Sequence, residues 1–124
     1  MITVKDLVGV PYKDRGRDKK GMDCYGLVIE VLRRKGTIVP DVFYPDTAAK
    51  TTVLQTLEAA IPNTRLDKPE EGAVVEILVM GQPSHAGVCL GDGTFIHALK
   101  KNGAVIEPLS RYRHKIRGFY RVNN

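Results

Sequence analysis

An α+β domain is the fold class that this sequence predicts, with N-terminal helices packed on a C-terminal antiparallel β-sheet. An apolar pattern with helical spacing covers residues 24–35, and the runs typical of strands all follow residue 72. Helices followed by strands are the α+β order, whereas strands alternating with helices would indicate a parallel sheet. The 124 residues, of which 43% are hydrophobic, suit one domain over residues 1–124.

The first helix is predicted to begin at Cys24. Apolar residues recur from there with the spacing i, i+3, i+4, i+7 and i+8, which describes one face of a helix. They are Cys24, Leu27, Val28, Val31 and Leu32. Asp23 is a suitable N-cap, because its carboxylate can accept a hydrogen bond from the first turn. Three basic residues at 33–35 suit the C-terminal end, and Gly36 ends the helix.

The remaining elements follow in order along the chain. A loop with two prolines and two aromatic residues is predicted over 37–50. A second short helix is predicted over 52–61, because apolar residues recur there at helical spacing and Pro62 ends the pattern. The strands that would form the antiparallel sheet are predicted over residues 73–80, 85–90, 94–99, 104–107 and 116–122.

Residues 85–99 indicate a β-hairpin that brings two histidines together. The Gly-Asp-Gly sequence at 91–93 is typical of a three-residue hairpin loop. With that loop Gly87 pairs with His97, so that His85 and His97 become diagonal neighbours on one face. Because Gly87 has no side chain, the ring of His97 can lean across toward His85. A two-residue turn would instead send His97 to the opposite face.

Cys24 and the two histidines together indicate a thiol hydrolase. A helix N-terminus favours the thiolate, and a base held by an orienting partner is the recurring arrangement in cysteine and serine hydrolases. The alternatives are a cysteine that only packs in the core and a pair of histidines that binds a metal. A zinc site would need further ligands at a recognisable spacing, and only Cys24 is available. No metal and no cofactor is therefore predicted, and His114 is interpreted as a loop residue.

The second cysteine, Cys89, is interpreted as a packing residue in a strand. By the alternation of side chains it shares a face with His85. A disulfide with Cys24 would consume the proposed nucleophile, and two cysteines fall short of the density of a secreted disulfide scaffold. No chemistry is assigned to Cys89.

Several motifs in the same order resemble the NlpC-type family of papain-like cell-wall cysteine endopeptidases. The match begins with Pro-Tyr at 11–12 followed by Gly16, and continues with Asp-Cys-Tyr-Gly-Leu-Val at 23–28. It then includes His-Ala-Gly-Val at 85–88, the Gly-Asp-Gly turn, and Phe-Ile-His-Ala at 95–98. The resemblance covers nearly the whole chain and implies a papain-like NlpC-type fold.

The resemblance also implies the roles of the catalytic residues. Cys24 would be the nucleophile, His85 the general base and acid, and His97 the polar residue that orients His85. Tyr12 would direct its hydroxyl toward the thiol and, with the backbone N–H of Cys24, stabilise the oxyanion. The reaction implied is acyl transfer through a thioester, followed by hydrolysis.

Three positions depart from the family pattern. Tyr25 stands where serine is usual, Asp-Arg at 14–15 replaces an aromatic-glycine pair, and Ala73 replaces an aspartate. Asp23 and Tyr25 belong to a segment that in many members helps to hold the free amine of the peptide substrate, so Tyr25 alters that subsite. Together with the closing sequence at 116–121, the aromatic residue after the nucleophile is more like the phage and prophage tail-associated branch.

The function implied is a cysteine endopeptidase that acts on peptidoglycan stem peptides, at the bond between γ-linked D-glutamate and a diamino acid. A thiol amidase or acyltransferase on the same fold is one alternative. The other is a non-catalytic phage tail or assembly module, whose partners would be tail or assembly proteins.

Charge and location give further expectations. The net charge is +5, from 19 Lys and Arg against 14 Asp and Glu, and much of it lies at 13–20 and 111–117. Such patches attract anionic cell-wall polymers or remain solvated, but they lack the pattern of a specific nucleic-acid site. The N-terminus lacks a signal peptide and no run suits a membrane span. We expect a protein that is cytoplasmic at synthesis, then virion-associated or released to the cell wall.

Overall fold

The computed structural model describes residues 2–41, 62–79 and 81–123. Along these ranges a short 3₁₀ helix and a two-stranded ribbon precede one α-helix, and a six-stranded sheet follows. The elements are the 3₁₀ helix Lys5–Leu7, β1 Arg17–Asp18, β2 Gly21–Met22, α1 Cys24–Lys35, β3 Asn63–Leu66, β4 Val74–Val79, β5 Gln82–Cys89, β6 Thr94–Leu99, β7 Gly103–Pro108, the 3₁₀ helix Leu109–Tyr112, and β8 Ile116–Val122. The predicted α+β class is confirmed.

Helix α1 forms where its capping residues and apolar spacing predict it. The side chain of Asp23 accepts a hydrogen bond from the N–H of Gly26 at 2.8 Å, which satisfies a donor of the first turn. Gly36 ends the helix in the left-handed region at φ 95°, a conformation that glycine adopts without a Cβ penalty. The predicted helix over 52–61 lies outside the described residues. Within those that are described, no helix has the length and apolar character needed to cross a bilayer.

The six-stranded sheet is antiparallel throughout, in the order β3-β8-β4-β5-β6-β7. The five predicted strands are all present, with β5 beginning three residues earlier than predicted. Strand β3 and the ribbon of β1 and β2 were not predicted. Strand β3 lies at the edge of the sheet and is largely polar, and β1 and β2 have two residues each, so neither carries an apolar pattern that the sequence would reveal.

The two faces of the sheet bury separate apolar clusters. On one face Val88 and Ile96 pack with the apolar side of α1. On the other face Val75, Cys89 and Phe95 pack beneath the second 3₁₀ helix. Since β4, β6 and the second half of β5 are covered on both sides, their sequences are mostly apolar and do not alternate strictly.

The N-terminal segment is tied to the edge of the sheet and to the start of α1. The N–H of Ala104 in β7 donates to the carbonyl of Val10 at 2.9 Å, and the N–H of Met22 donates to the carbonyl of Pro11 at 3.0 Å. Tyr12 therefore forms a parallel bridge with Met22, and Met22 directly precedes Asp23, the residue that caps the helix.

Part of the positive charge in the two basic runs is neutralised within the fold. Lys19 pairs with Asp6 at 2.8 Å. Arg117 pairs at 3.1 Å with Glu76, whose side chain is only 5% exposed. These arginine and lysine side chains therefore contribute less to the external field than the net charge implies.

Candidate active site

The hairpin of β5 and β6 brings His85 and His97 into direct contact. Gly87 lies opposite His97, the register that a three-residue loop predicts. Nε2 of His85 and Nδ1 of His97 are 2.8 Å apart, within hydrogen-bond distance. A Cβ added at Gly87 would lie 2.9 Å from the Cβ of His97, so glycine is needed where the ring leans across. The predicted pairing of the two histidines on one face is confirmed.

A carboxylate continues this row of rings on the far side of His97. Glu107 in β7 lies opposite Phe95, and its Oε1 is 2.7 Å from Nε2 of His97. The hydroxyl of Tyr112 donates to the same oxygen at 2.7 Å. Arg111 forms an ion pair with the other oxygen. His97 is completely buried, and the Glu107 side chain is 13% exposed.

The protonation of His97 and Glu107 follows from burial and from these hydrogen bonds. Burial lowers the pKa of His97, although the hydrogen bond and charge of Glu107 oppose that effect. Burial by itself would raise the pKa of Glu107. Hydrogen bonds from Tyr112, His97 and Arg111 outweigh it and hold the pKa of this carboxyl below its ordinary value. Both shifts favour a neutral imidazole at His97 beside an ionised carboxylate at Glu107.

Sequence reasoning missed Glu107, Tyr112 and Arg111. The predicted strand over 104–107 ends on Glu107, but a strand alone does not say which cross-strand neighbour a residue meets. The strand begins at Gly103, one residue before the predicted start, and this register pairs Leu99 with Gly103 and places Glu107 opposite Phe95. The two residues from 111–112 were hidden in a run that was interpreted as a basic patch.

Cys24 is the first residue of α1 and is completely buried. The helix packs against β5 and β6, the strands that carry His85 and His97. At this position the thiol lies at the positive end of the helix dipole, where a thiolate is stabilised. The role of Cys24 as nucleophile stays a prediction.

Asp23 ties the preceding loop to the helix. Its completely buried carboxylate accepts hydrogen bonds from the N–H of Gly26 at 2.8 Å and from the N–H of Arg15 at 3.0 Å. The guanidinium of Arg17 donates to it at 3.1 Å. Arg17 was concealed in the basic run at 13–20, and the polar partner of a buried aspartate is the signal that would have identified it. The role of Asp23 toward a substrate stays a prediction.

Tyr25 is a buried side chain of the cluster beneath α1. Its hydroxyl donates to the carbonyl of Pro40, and the guanidinium of Arg17 lies 5.5 Å from the centre of its ring. Burial is the main cause that raises the pKa of Tyr25. The phenol therefore fills space between the loop and the helix, and its effect on a substrate subsite stays a prediction.

Tyr12 and Cys89 flank these groups. Tyr12 is half-buried beside Met22, and Met22 lies two residues before Cys24. The part of Tyr12 in oxyanion binding stays a prediction. Cys89 pairs with Phe95 and packs in the same apolar cluster, and burial raises the pKa of its thiol to about 12. Across the described ranges, no group of three or more His, Cys, Asp or Glu is arranged to hold a metal ion.

Asp23→Ala is expected to lower the free energy of unfolding by about 3 kcal/mol. The substitution removes the N-cap and one of the two carboxylates, those of Asp23 and Asp41, that pair with the half-buried Arg17. Urea denaturation measures the change, with Asp18→Ala at an exposed position of β1 as the control. Asp23→Asn keeps the cap and should lose about 1 kcal/mol. Equal losses for Asp23→Ala and Asp18→Ala would contradict a structural role of this carboxylate.

Comparisons with known proteins agree with this fold. The family model described as the NlpC/P60 family matches residues 9–119 of the chain. A comparison with curated proteins found no significant match.

Several solved structures have the same fold. The NlpC/p60 domain of the peptidoglycan hydrolase SagA superposes with a TM-score of 0.63 at 21% identity, covering 95% of this chain and 90% of that one. An NlpC/P60 family protein from Bacillus cereus has a TM-score of 0.68 at 22% identity over 94% of this chain. A lipoprotein-like NLP/P60 protein from Staphylococcus aureus has 0.67 at 21% identity over 95%. The match spans 36% and 38% of the latter two chains.

Proposed function

Since the chain belongs to the NlpC/P60 family, we propose that it is a cell-wall hydrolase of the cysteine endopeptidase type. Its substrate would be a peptidoglycan stem peptide, cleaved between γ-linked D-glutamate and a diamino acid. The observation that carries this proposal is the 2.8 Å contact between His85 and the completely buried His97. A base held in one orientation by a buried partner is what an acyl-transfer site requires.

The proposed reaction has two acyl-transfer steps. The thiol of Cys24 passes its proton to His85, and the thiolate attacks the carbonyl carbon of the scissile amide. His85 then protonates the leaving amine as the carbon–nitrogen bond breaks, which leaves a thioester on Cys24. Water, deprotonated by His85, attacks the thioester and releases the carboxylic acid and the thiol.

The helix terminus supports the charge that this chemistry develops. The backbone N–H of Cys24 belongs to the first turn of α1, where N–H groups lack partners within the helix. Such an N–H, together with the hydroxyl of Tyr12, would stabilise the oxyanion of the tetrahedral intermediate. Cys24 is the first residue of α1, and Asp23 and Gly36 cap the two ends of this helix.

Incubation with defined muropeptides, followed by mass spectrometry, tests the proposal. We expect the protein to cleave after D-glutamate and Cys24→Ala to show no cleavage, because the variant lacks the nucleophile. Cys89→Ala is the matched control and should retain cleavage. Cleavage at another amide that depends on Cys24 would favour the thiol amidase. Cleavage that survives in Cys24→Ala would contradict thiol catalysis.

A second test needs no substrate. If Cys24 is the nucleophile, we expect it to form a thiolate near neutral pH. Burial raises the pKa of Cys89 to about 12, so its thiol is expected to stay protonated there. We expect iodoacetamide at pH 7 to label Cys24 at least about 100-fold faster than Cys89 in the folded protein. Peptide mapping measures both rates, and equal, slow labelling would favour a core cysteine.

One observation favours a second candidate function. Tyr25 is held between Arg17 and the carbonyl of Pro40, at the position where the family usually has serine. A substrate without the usual free amine would suit such a site, as in a thiol amidase or acyltransferase. The phage tail-associated branch, tail or assembly partners, and a virion or cell-wall location are further proposals of the same kind.

A further inference from the structure

We propose that Glu107 is a positioning residue for His85, and that it acts through His97. This inference rests on the proposed function for the role of His85 as the base. Tyr112 and Arg111 would hold the carboxylate in place. The two histidines thus become part of a longer series of contacts, called the row, that crosses three adjacent strands and ends on a 3₁₀ helix. Its members are His85, His97, Glu107, Tyr112 and Arg111.

The row is continuous and consists of contacts at hydrogen-bond distance. His85 in β5 is 2.8 Å from His97 in β6, and His97 is 2.7 Å from Glu107 in β7. Tyr112, in the 3₁₀ helix, donates to Glu107 at 2.7 Å, and Arg111 pairs with its other oxygen. Each strand therefore contributes one member, and the sheet register sets the spacing between them.

The protonation of the row determines the direction of its hydrogen bonds. An ionised carboxylate can only accept, so Nε2 of His97 must donate to Glu107. A neutral imidazole carries one ring proton, so Nδ1 of His97 accepts and Nε2 of His85 donates to it. When His85 is neutral, its Nδ1 is then unprotonated. This is the nitrogen that would accept the thiol proton, because Nε2 is already engaged with His97.

The surroundings of His97 leave the ring little freedom to reverse this order. Its centroid is 4.3 Å from that of Phe95 and 5.3 Å from that of Tyr112, so aromatic rings occupy its sides. Both ring nitrogens are engaged, one by His85 and one by Glu107. In the part of the chain that the structure describes, the titratable groups in contact with His97 are His85, Glu107 and Tyr112, and Arg111 lies behind the carboxylate.

The charge of Glu107 also matters when the base takes up a proton. An imidazolium at His85 would be stabilised by a negative charge at the other end of the row. Because His97 is completely buried, that interaction is screened less than it would be in water. A carboxylate that served only to stabilise the sheet would have no such effect on the tautomers of the two histidines.

The direct test is the imidazole ¹⁵N NMR spectrum of the unmodified protein near pH 7. Long-range ¹H–¹⁵N correlations identify which ring nitrogen carries the proton. We expect His85 and His97 both to be protonated at Nε2. A His97 protonated at Nδ1 would overturn the proposal, and this readout depends on neither a substrate nor a variant.

Two variants at Glu107 separate the acceptor from the charge. Glu107→Ala removes the acceptor, so we expect His97 to lose its fixed tautomer and alkylation of Cys24 at pH 7 to slow more than about tenfold. Glu107→Gln retains a carbonyl oxygen at the point where Tyr112 and His97 both donate. We expect it to preserve the tautomers and to slow alkylation only about threefold.

The control carries the same substitution at a glutamate outside the row. Glu70→Gln breaks an exposed ion pair with Arg121 and should leave the tautomers and the alkylation rate unchanged. Unchanged tautomers in Glu107→Ala would overturn the proposal. Absence of muropeptide cleavage alongside the expected tautomers would instead contradict the proposed substrate, so the two failures are distinguishable.

Discussion

His97→Ala is expected to lower kcat/KM for peptide hydrolysis by about 1,000-fold or more. The substitution removes the ring nitrogen of His97 that lies 2.8 Å from Nε2 of His85, so the base can rotate and adopt the other tautomer. It also leaves the carboxylate of Glu107 without one of its hydrogen-bond donors. The measurement is the initial rate of muropeptide cleavage, compared with the alkylation rate of Cys24.

His97→Asn is the control for this prediction. The amide oxygen of asparagine can occupy the position of Nδ1 and accept from His85, which restores its orientation. We expect activity within about tenfold of the parent protein. The claim that His97 orients His85 fails if His97→Ala keeps nearly full activity. It also fails if both variants lose activity equally while circular dichroism shows that they remain folded.

Gly26→Ala is expected to destabilise the protein by about 3 kcal/mol. Helix propensity alone would favour alanine over glycine by about 1 kcal/mol inside a helix. In the folded chain, however, a Cβ at Gly26 would lie 2.3 Å from the carbonyl oxygen of Gly16 and 3.0 Å from the guanidinium of Arg17. The loop must shift, and the hydrogen bonds that it makes to Asp23 shift with it.

The control for Gly26→Ala is Gly36→Ala at the other end of the helix. Gly36 has φ 95° and no atom within 4 Å of an added Cβ, so the change costs backbone strain alone, about 1 kcal/mol. Urea denaturation compares the free energies of unfolding of the two variants, provided that both show the same dependence of that free energy on urea concentration. A Gly26→Ala variant as stable as the parent would contradict the close packing of loop on helix.

This packing explains one residue of the motif at 23–28 in physical terms. Gly26 follows the candidate nucleophile by two residues, and its missing side chain lets the loop at Gly16 lie directly on the first turn. The same loop supplies Arg15 and Arg17 to Asp23. The first turn of α1, which carries Cys24, is therefore fixed both by the Asp23 cap and by the contacts of the preceding loop.

The sequence alone determined the local features of this protein. The helix from Cys24 follows from apolar spacing and from caps at Asp23 and Gly36, all within a few residues of one another. The hairpin over 85–99 follows from its Gly-Asp-Gly turn, although the sequence left two turn lengths open and the structure selected the three-residue loop that pairs Gly87 with His97. These signals are local, so they can be read without knowing the rest of the fold.

Only the tertiary structure decided which polar groups meet across longer separations. Glu107 joins His97 because β7 pairs with β6 in one register, and Arg17 meets Asp23 because the ribbon folds onto α1. Charged side chains in loops and at strand ends carry no periodic signal, so the sequence presented Arg17 and Arg111 only as parts of basic runs. Their partners were fixed by burial, since a buried carboxylate is tolerated only where donors surround it.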